Sequence, residues 1–230
     1  MRETHFFFHA EEKSNDAARA LPGYGDSFLA PHTSLRADAV FSYGEEEAEQ
    51  AAILTERILD ELCAPSIRKD TGDTIYSKPL LEMLCALCAE YPEVKMPAPP
   101  YPNVPLSVYS PSLFFCFGTV IHHALAVQMA LRVTVEEDFG HLHISLRVPR
   151  PARSGAEAAA HLGLIPERLA VLQGIADASS FSLSLAAGED SALTLTLPIA
   201  VATRLCFHAT DGENADLLAA FLLPLRYFTY

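Results

Sequence analysis

The sequence predicts an α+β fold, and three observations carry that expectation. One long apolar helix opens at Ser110-Pro111 and runs to about residue 131. Two strand pairs follow it, the clearest being the hairpin in which Phe181, Leu183 and Leu185 alternate outward and Leu193, Leu195, Leu197 and Ile199 alternate back. Between the pairs lies an amphipathic helix over 165–176, with Leu169, Leu172 and Ile175 at helical spacing.

Residues 1–43 give little periodicity. Phe6-Phe7-Phe8 reads as a short strand or a docking plug, and the Pro and Gly of residues 21–25 read as a loop. Ser42-Tyr43-Gly44-Glu45 has capping-box spacing and opens a helix to about Leu62. Ala51, Leu54, Ile58 and Leu62 form its apolar stripe, while the early glutamates suit the positive end of the helix dipole. Pro65 ends it. A polar connection, 68–77, leads to a short helix from Pro79 that Pro92 stops. Five prolines between 97 and 105 exclude a central strand and predict an extended edge or surface segment.

Ser110 as N-cap and Pro111 at the first helical position start the long helix. Leu113, Phe117, Val120, Ile121, Ala124, Leu125 and Gln128 line one broad side of it. The first strand pair spans 132–136 and 142–148 around the turn 137–140. In its second strand Leu142, Ile144, Leu146 and Val148 face the core, and His141, His143, Ser145 and Arg147 face water. Pro149 and Pro151 end that strand. Ser154 to Glu157 is a second capping-box spacing, and Gly163 breaks the Ala-rich turn that follows. Residues 203–208 read as one more strand and 216–223 as a terminal helix, before an aromatic tail at Tyr227, Phe228 and Tyr230.

The 230 residues carry a formal net charge of −13, which disfavours nucleic acid as a partner. Five cysteines, odd in number and in apolar surroundings, fit a reducing compartment and a cytoplasmic location. Cys85 and Cys88 form a CxxC without a second ligand pair at zinc spacing, so they read as two core-facing thiols. Glu3, Glu11 and Glu12 exclude a signal peptide, and His122, His123 and Gln128 exclude a membrane span over 112–131. His122 and His123 point about 100° apart on their helix, one inward and one into a groove. His141 and His143 share a strand face and could form half a metal site, but with no third ligand readable from sequence they read as exposed strand histidines. Arg147, Arg150 and Arg153 cluster as a rim. No nucleophile elbow, Walker A loop or dinucleotide fingerprint occurs.

The order of elements from Pro79 to Val201 resembles the ATP-binding domain of sensor histidine kinases, whose relatives include gyrase, Hsp90 and MutL. Residues 111–128 (PSLFFCFGTVIHHALAVQ) resemble the N-box helix, His161-Leu162-Gly163-Leu164 the second glycine box, and 191–199 (SALTLTLPI) the closing strand. The resemblance implies a two-layer α/β sandwich of the Bergerat ATPase type with a mixed sheet. It implies three segments: 1–65, an N-terminal helical remnant of dimerisation helices; 66–201, the ATPase-like domain; and 202–230, an extension packed on it. It also places a degenerate nucleotide cleft at His123, Thr119, Val148, Arg150, Gly163 and Leu164.

The chemistry at those positions departs from the family. His123 stands where an Asn would hold Mg²⁺, and imidazole is a poor ligand for that hard cation. Val148-Pro149-Arg150-Pro151 stands where an Asp would read adenine. The phosphoacceptor has only a weak candidate, His32, with Pro31 before it and no acid after it. The expectation is therefore a non-catalytic, histidine-kinase-like regulatory protein with no catalytic residue, no metal and no cofactor. It would work through a protein partner or a homodimer over 45–62. The alternatives are a divergent working histidine kinase that uses ATP and Mg²⁺, and a small-ligand sensor that reuses the cleft.

Overall fold

A computed structural model describes residues 44–63, 75–200 and 211–228. The expectations placed on Phe6-Phe7-Phe8, His32, Ser42, Pro65 and 203–208 lie outside the described residues.

Helix α1 (Glu45–Leu62) buries the stripe Ala51, Ile58 and Leu62. Its N-cap is Gly44: the Gly44 amide donates to the Glu47 carboxylate at 3.1 Å, so the acid at the third helical position supplies the cap. β1 (Ile75–Tyr76) leads into α2 (Ser77–Cys88), which begins two residues before Pro79. The Ser77 hydroxyl donates to the Pro102 carbonyl and accepts from the Val104 amide, tying α2 to the Pro-rich segment. That segment is extended, as expected. It contributes only β3 (Pro105–Leu106), antiparallel to β1. Cys88 is buried, but Cys85 is not core-facing: it is partly exposed, with its sulfur 2.8 Å from the Tyr101 hydroxyl.

Helix α3 (Ser110–Ala126) corrects three expectations. Its N-cap is Tyr109, with Ser110 already helical. It ends at Ala126 rather than 131, because Gln128 takes φ +53° and the Met129 amide turns back to the Ala124 carbonyl at 2.7 Å. And it is buried on all sides from Pro111 to His122 instead of along one face. The extra cover comes from the chain's end. α6 (Asp211–Leu222) and α7 (Pro224–Tyr227) pack on α3, with Phe221 and Phe228 buried.

The main sheet runs β2-β4-β5-β7-β6 and is mixed. β2 (Val94–Lys95) lies parallel to β4 (Leu131–Asp138) at one edge, and the remaining neighbours are antiparallel. β4 begins at Leu131, where the apolar run was expected to be still helical. The β4–β5 turn is only Phe139-Gly140, with Asp138 already paired to His141 and Gly140 at φ +94°. β5 (His141–Val148), β6 (Ser182–Ala186) and β7 (Ser191–Pro198) show the expected alternation, except that Ser145, expected to face water, is buried with its hydroxyl 2.8 Å from that of Thr194 on β7. Leu142, Ile144, Leu146, Leu183, Leu185, Leu193, Leu195 and Leu197 are all buried in one core with α3 and α5. The opposite face carries Glu136, Asp138, His141, His143, Arg147 and Thr196.

α4 (Gly155–His161) is capped by Ser154, whose hydroxyl accepts from the Glu157 amide at 3.2 Å. α5 (Pro166–Ala178) starts at Pro166 and packs against both α1 and β6. Helices on one face and solvent on the other make a two-layer sandwich.

Candidate functional site

The six sequence-predicted cleft positions divide into two places. His123 and Gly163 meet. Gly163 has φ +69°, a conformation open chiefly to glycine. A Cβ built on it would come within 2.2 Å of the His123 ring. The Ala-rich α4 and the proline that starts α5 leave only a tight turn between them, and glycine makes that turn. Leu164 is buried beside it, its amide bonded to the Ala159 carbonyl at 2.9 Å. Thr119, one turn before His123, is fully buried, and its hydroxyl donates back to the Phe115 carbonyl at 3.0 Å.

Val148 and Arg150 sit elsewhere. With Pro149 and residues 127–130 they line a shallow hollow of about 390 Å³ that none of the other four positions reaches. Arg150 is exposed. Its carbonyl accepts from the Ser191 hydroxyl, which also stands 2.8 Å from His161 Nδ1. A larger hollow, about 480 Å³, lies between α1 and α5 and is walled by Ala48, Ala52, Leu59 and Ala170.

One residue of the first place, Arg168, was not singled out from sequence. Arg168, on α5, is buried and donates from Nη1 to the Gly163 carbonyl at 2.9 Å. Its guanidinium lies 4.8 Å over the ring of Phe228, the residue after α7. Phe228 in turn packs on Phe115 of α3. An Arg in a Glu-Arg-Leu helical stretch reads as surface, and nothing local says that a C-terminal aromatic will cover it. His122 is the inward histidine: Nε2 is 3.2 Å from the Phe221 carbonyl, and its ring meets Phe221 edge-on. Burial lowers the pKa of both histidines, helped at His123 by the nearby Arg168 charge and opposed at His122 by the bond to Phe221.

As a cradle for a magnesium nucleotide, these positions fit poorly. None of the six side chains is a carboxylate or amide, the His123 ring occupies the space over Gly163, and Thr119, Val148 and Leu164 face the core. Among the described residues no group of three or more His, Cys, Asp or Glu side chains could hold a metal ion, and no helix is long and apolar enough to cross a membrane.

No protein-family model matches the chain, and no curated protein matches it. Solved structures similar to it in architecture include three from histidine kinases. The histidine kinase AdeS of Acinetobacter baumannii shares 13% identity at a TM-score of 0.43, over 67% of this chain and 80% of that one. The ATP binding domain of PrrB from Mycobacterium tuberculosis shares 16% at 0.41, over 57% and 99%. The histidine kinase domain of the E. coli osmosensor EnvZ shares 15% at 0.40, over 62% and 98%. At such identities no residue role passes from those proteins to this chain.

Proposed function

We propose that this chain is a non-catalytic, histidine-kinase-like signalling or regulatory protein that acts through protein–protein contacts. The observation that carries the reading is the packing of the His123 imidazole onto Gly163. A phosphate arriving at this corner has to displace that ring and compete with the Arg168 bond to the Gly163 carbonyl. Each buried hydrogen bond left unmade costs ~1–3 kcal/mol, and no carboxylate among the six positions offsets the loss by reading a base. A homodimer through 45–62 is the first form of partnership to test. The inward stripe of α1 is already used, but Ile53 on its outward side is 52% exposed.

Calorimetric titration with Mg-ATP tests the loss of nucleotide. The expected result is no saturable binding up to about 1 mM, an affinity of only ~4 kcal/mol. Micromolar affinity would overturn the proposal and favour a working ATPase or kinase. Sedimentation of the full chain tests the dimer: a dimeric mass reduced by Ile53→Glu supports it, and a monomer at all concentrations sends the partner search to other proteins.

A further inference from the structure

The C-terminal helices carry an apolar face that the fold leaves uncovered. From Ala215 to Leu225 the sequence is ADLLAAFLLPL, with Asp216 as its single charge. A helix that is apolar on every side is normally buried on every side. Here only one side is. Ala220, Phe221 and Pro224 are buried where α6 and α7 pack on α3. On the other side Leu218, Leu222 and Leu225 are 42%, 41% and 52% exposed, with Ala215 and Ala219 exposed among them. Leu223 keeps helical angles (φ −57°, ψ −36°), so the stripe runs on in register from α6 into α7.

We propose that this stripe docks a second copy of the chain, the two copies pairing antiparallel through α6 and α7. The spacing is self-complementary. A two-fold axis at position 220 lays Leu218 against Leu222 of the other copy and Ala215 against its Leu225, and each contact recurs by symmetry. The alanines at 215 and 219 let the helix axes come within ~8 Å, the close end of helix packing.

The charges at the two ends of the stripe select this arrangement. Asp216 and Arg226 are ten positions apart, which is ~15 Å along the axis and ~80° around it, so both lie on one flank. Antiparallel helices set like flanks together, so Asp216 of each copy meets Arg226 of the other. In a parallel pair that flank faces the opposite one, and the two charges do not meet. The Arg226 side chain is 69% exposed and donates from Nη1 to Glu61 at 2.9 Å. A guanidinium has further N–H groups for a second carboxylate. A lipid surface fits the stripe less well. Helices that lie on membranes flank their apolar face with several Lys or Arg, and this stripe has one arginine in a chain of net charge −13. A seam ~15 Å long covers less than the ~800 Å² per partner of a standard interface, so the pairing is weak and concentration-dependent. It does not involve Ile53 and stands apart from the pairing through α1 proposed above.

Sedimentation equilibrium of the full chain, from micromolar to near-millimolar concentration, tests the proposal. It is run on the native chain and on Ile53→Glu, in which pairing through α1 does not contribute. In both, a mass that rises toward the dimer or beyond and is lowered by Leu218→Glu/Leu222→Glu supports the stripe. Asp216→Asn and Arg226→Gln are each expected to weaken the pairing severalfold, and the double variant no more than either single, because each removes the same ion pair. Losses that multiply would overturn the antiparallel arrangement. Ile53→Glu that stays monomeric throughout overturns the proposal, as does self-association that the double leucine variant retains in full. A monomer that floats with phosphatidylcholine vesicles overturns it in favour of a lipid surface. Unchanged circular dichroism of the variants separates lost pairing from lost fold.

Discussion

The ring of His123 on α3 rests against the backbone of Gly163, so closely that a Cβ at 163 would fall 2.2 Å from it. This contact joins the long helix to the turn between α4 and α5. Gly163→Ala meets two penalties: a left-handed φ, worth ~1–2 kcal/mol for an L side chain, and displacement of the imidazole. A loss of ~2–3 kcal/mol is expected by denaturant unfolding. Adding His123→Ala makes room, so the double variant should recover ~1 kcal/mol relative to the sum of the singles. Strict additivity would show that the two residues do not touch.

Arg168 holds the other side of the same turn. Arg168→Met leaves the Gly163 carbonyl without its 2.9 Å donor and removes the cation from over Phe228. The expected cost is ~2–4 kcal/mol, from an unmet buried acceptor plus a cation–π contact. Phe228→Leu keeps the hydrogen bond and should cost about 1 kcal/mol, its share being the ring contact alone. Equal losses would mean that Arg168 acts through Phe228 only.

Gly118→Ala should carry an unusual sign. In an exposed helix this change stabilises by ~1 kcal/mol. Here the new methyl would lie 2.2 Å from the Phe221 carbonyl oxygen, a backbone atom of α6 that cannot swing aside. A lower melting temperature is expected, by several degrees. A raised one would show that α6 does not sit against α3 in solution.

The two helix histidines make stability fall in mild acid. Both have pKa values lowered from 6.5 by burial. The folded chain therefore binds fewer protons than the unfolded chain once pH drops below that value. Their contribution is complete above pH 6.5 and is lost as pH falls from there through the lowered folded values. Urea midpoints measured at pH 7.5 and 5.5 should differ less for His122→Gln and His123→Gln than for the native chain. An unchanged pH dependence in both variants would place the acid sensitivity in other groups.

Much of the fold is legible in the sequence, for local reasons. The alternation in β5, β6 and β7 is a period-2 pattern that only one register satisfies, and Leu146 opposite Leu193 is its direct consequence. Gly163 between an Ala-rich turn and a proline marks its own break. The ends of α3 are less legible. Ser110-Pro111 fits either an N-cap or a first turn, and the apolar run from Ala126 through Leu131 continues past the helix because β4 is apolar too.

The candidate site is less legible still. His123 and Gly163 are separated by forty positions, and Arg168 and Phe228 by sixty. No period links them. Arg168 carries the charge of a surface residue and is buried only because the chain's end returns to cover it.

By itself the sequence determined the helices, the hairpins, their apolar faces and the absence of carboxylates at the expected nucleotide positions, because each depends on neighbours within a few residues. Only the tertiary structure decided that α3 is covered on every side, that His123 closes onto Gly163, and that Arg168 is drawn beneath Phe228. Those contacts are made where distant segments must exclude water together, and side-chain volume there, not local propensity, selects the partner.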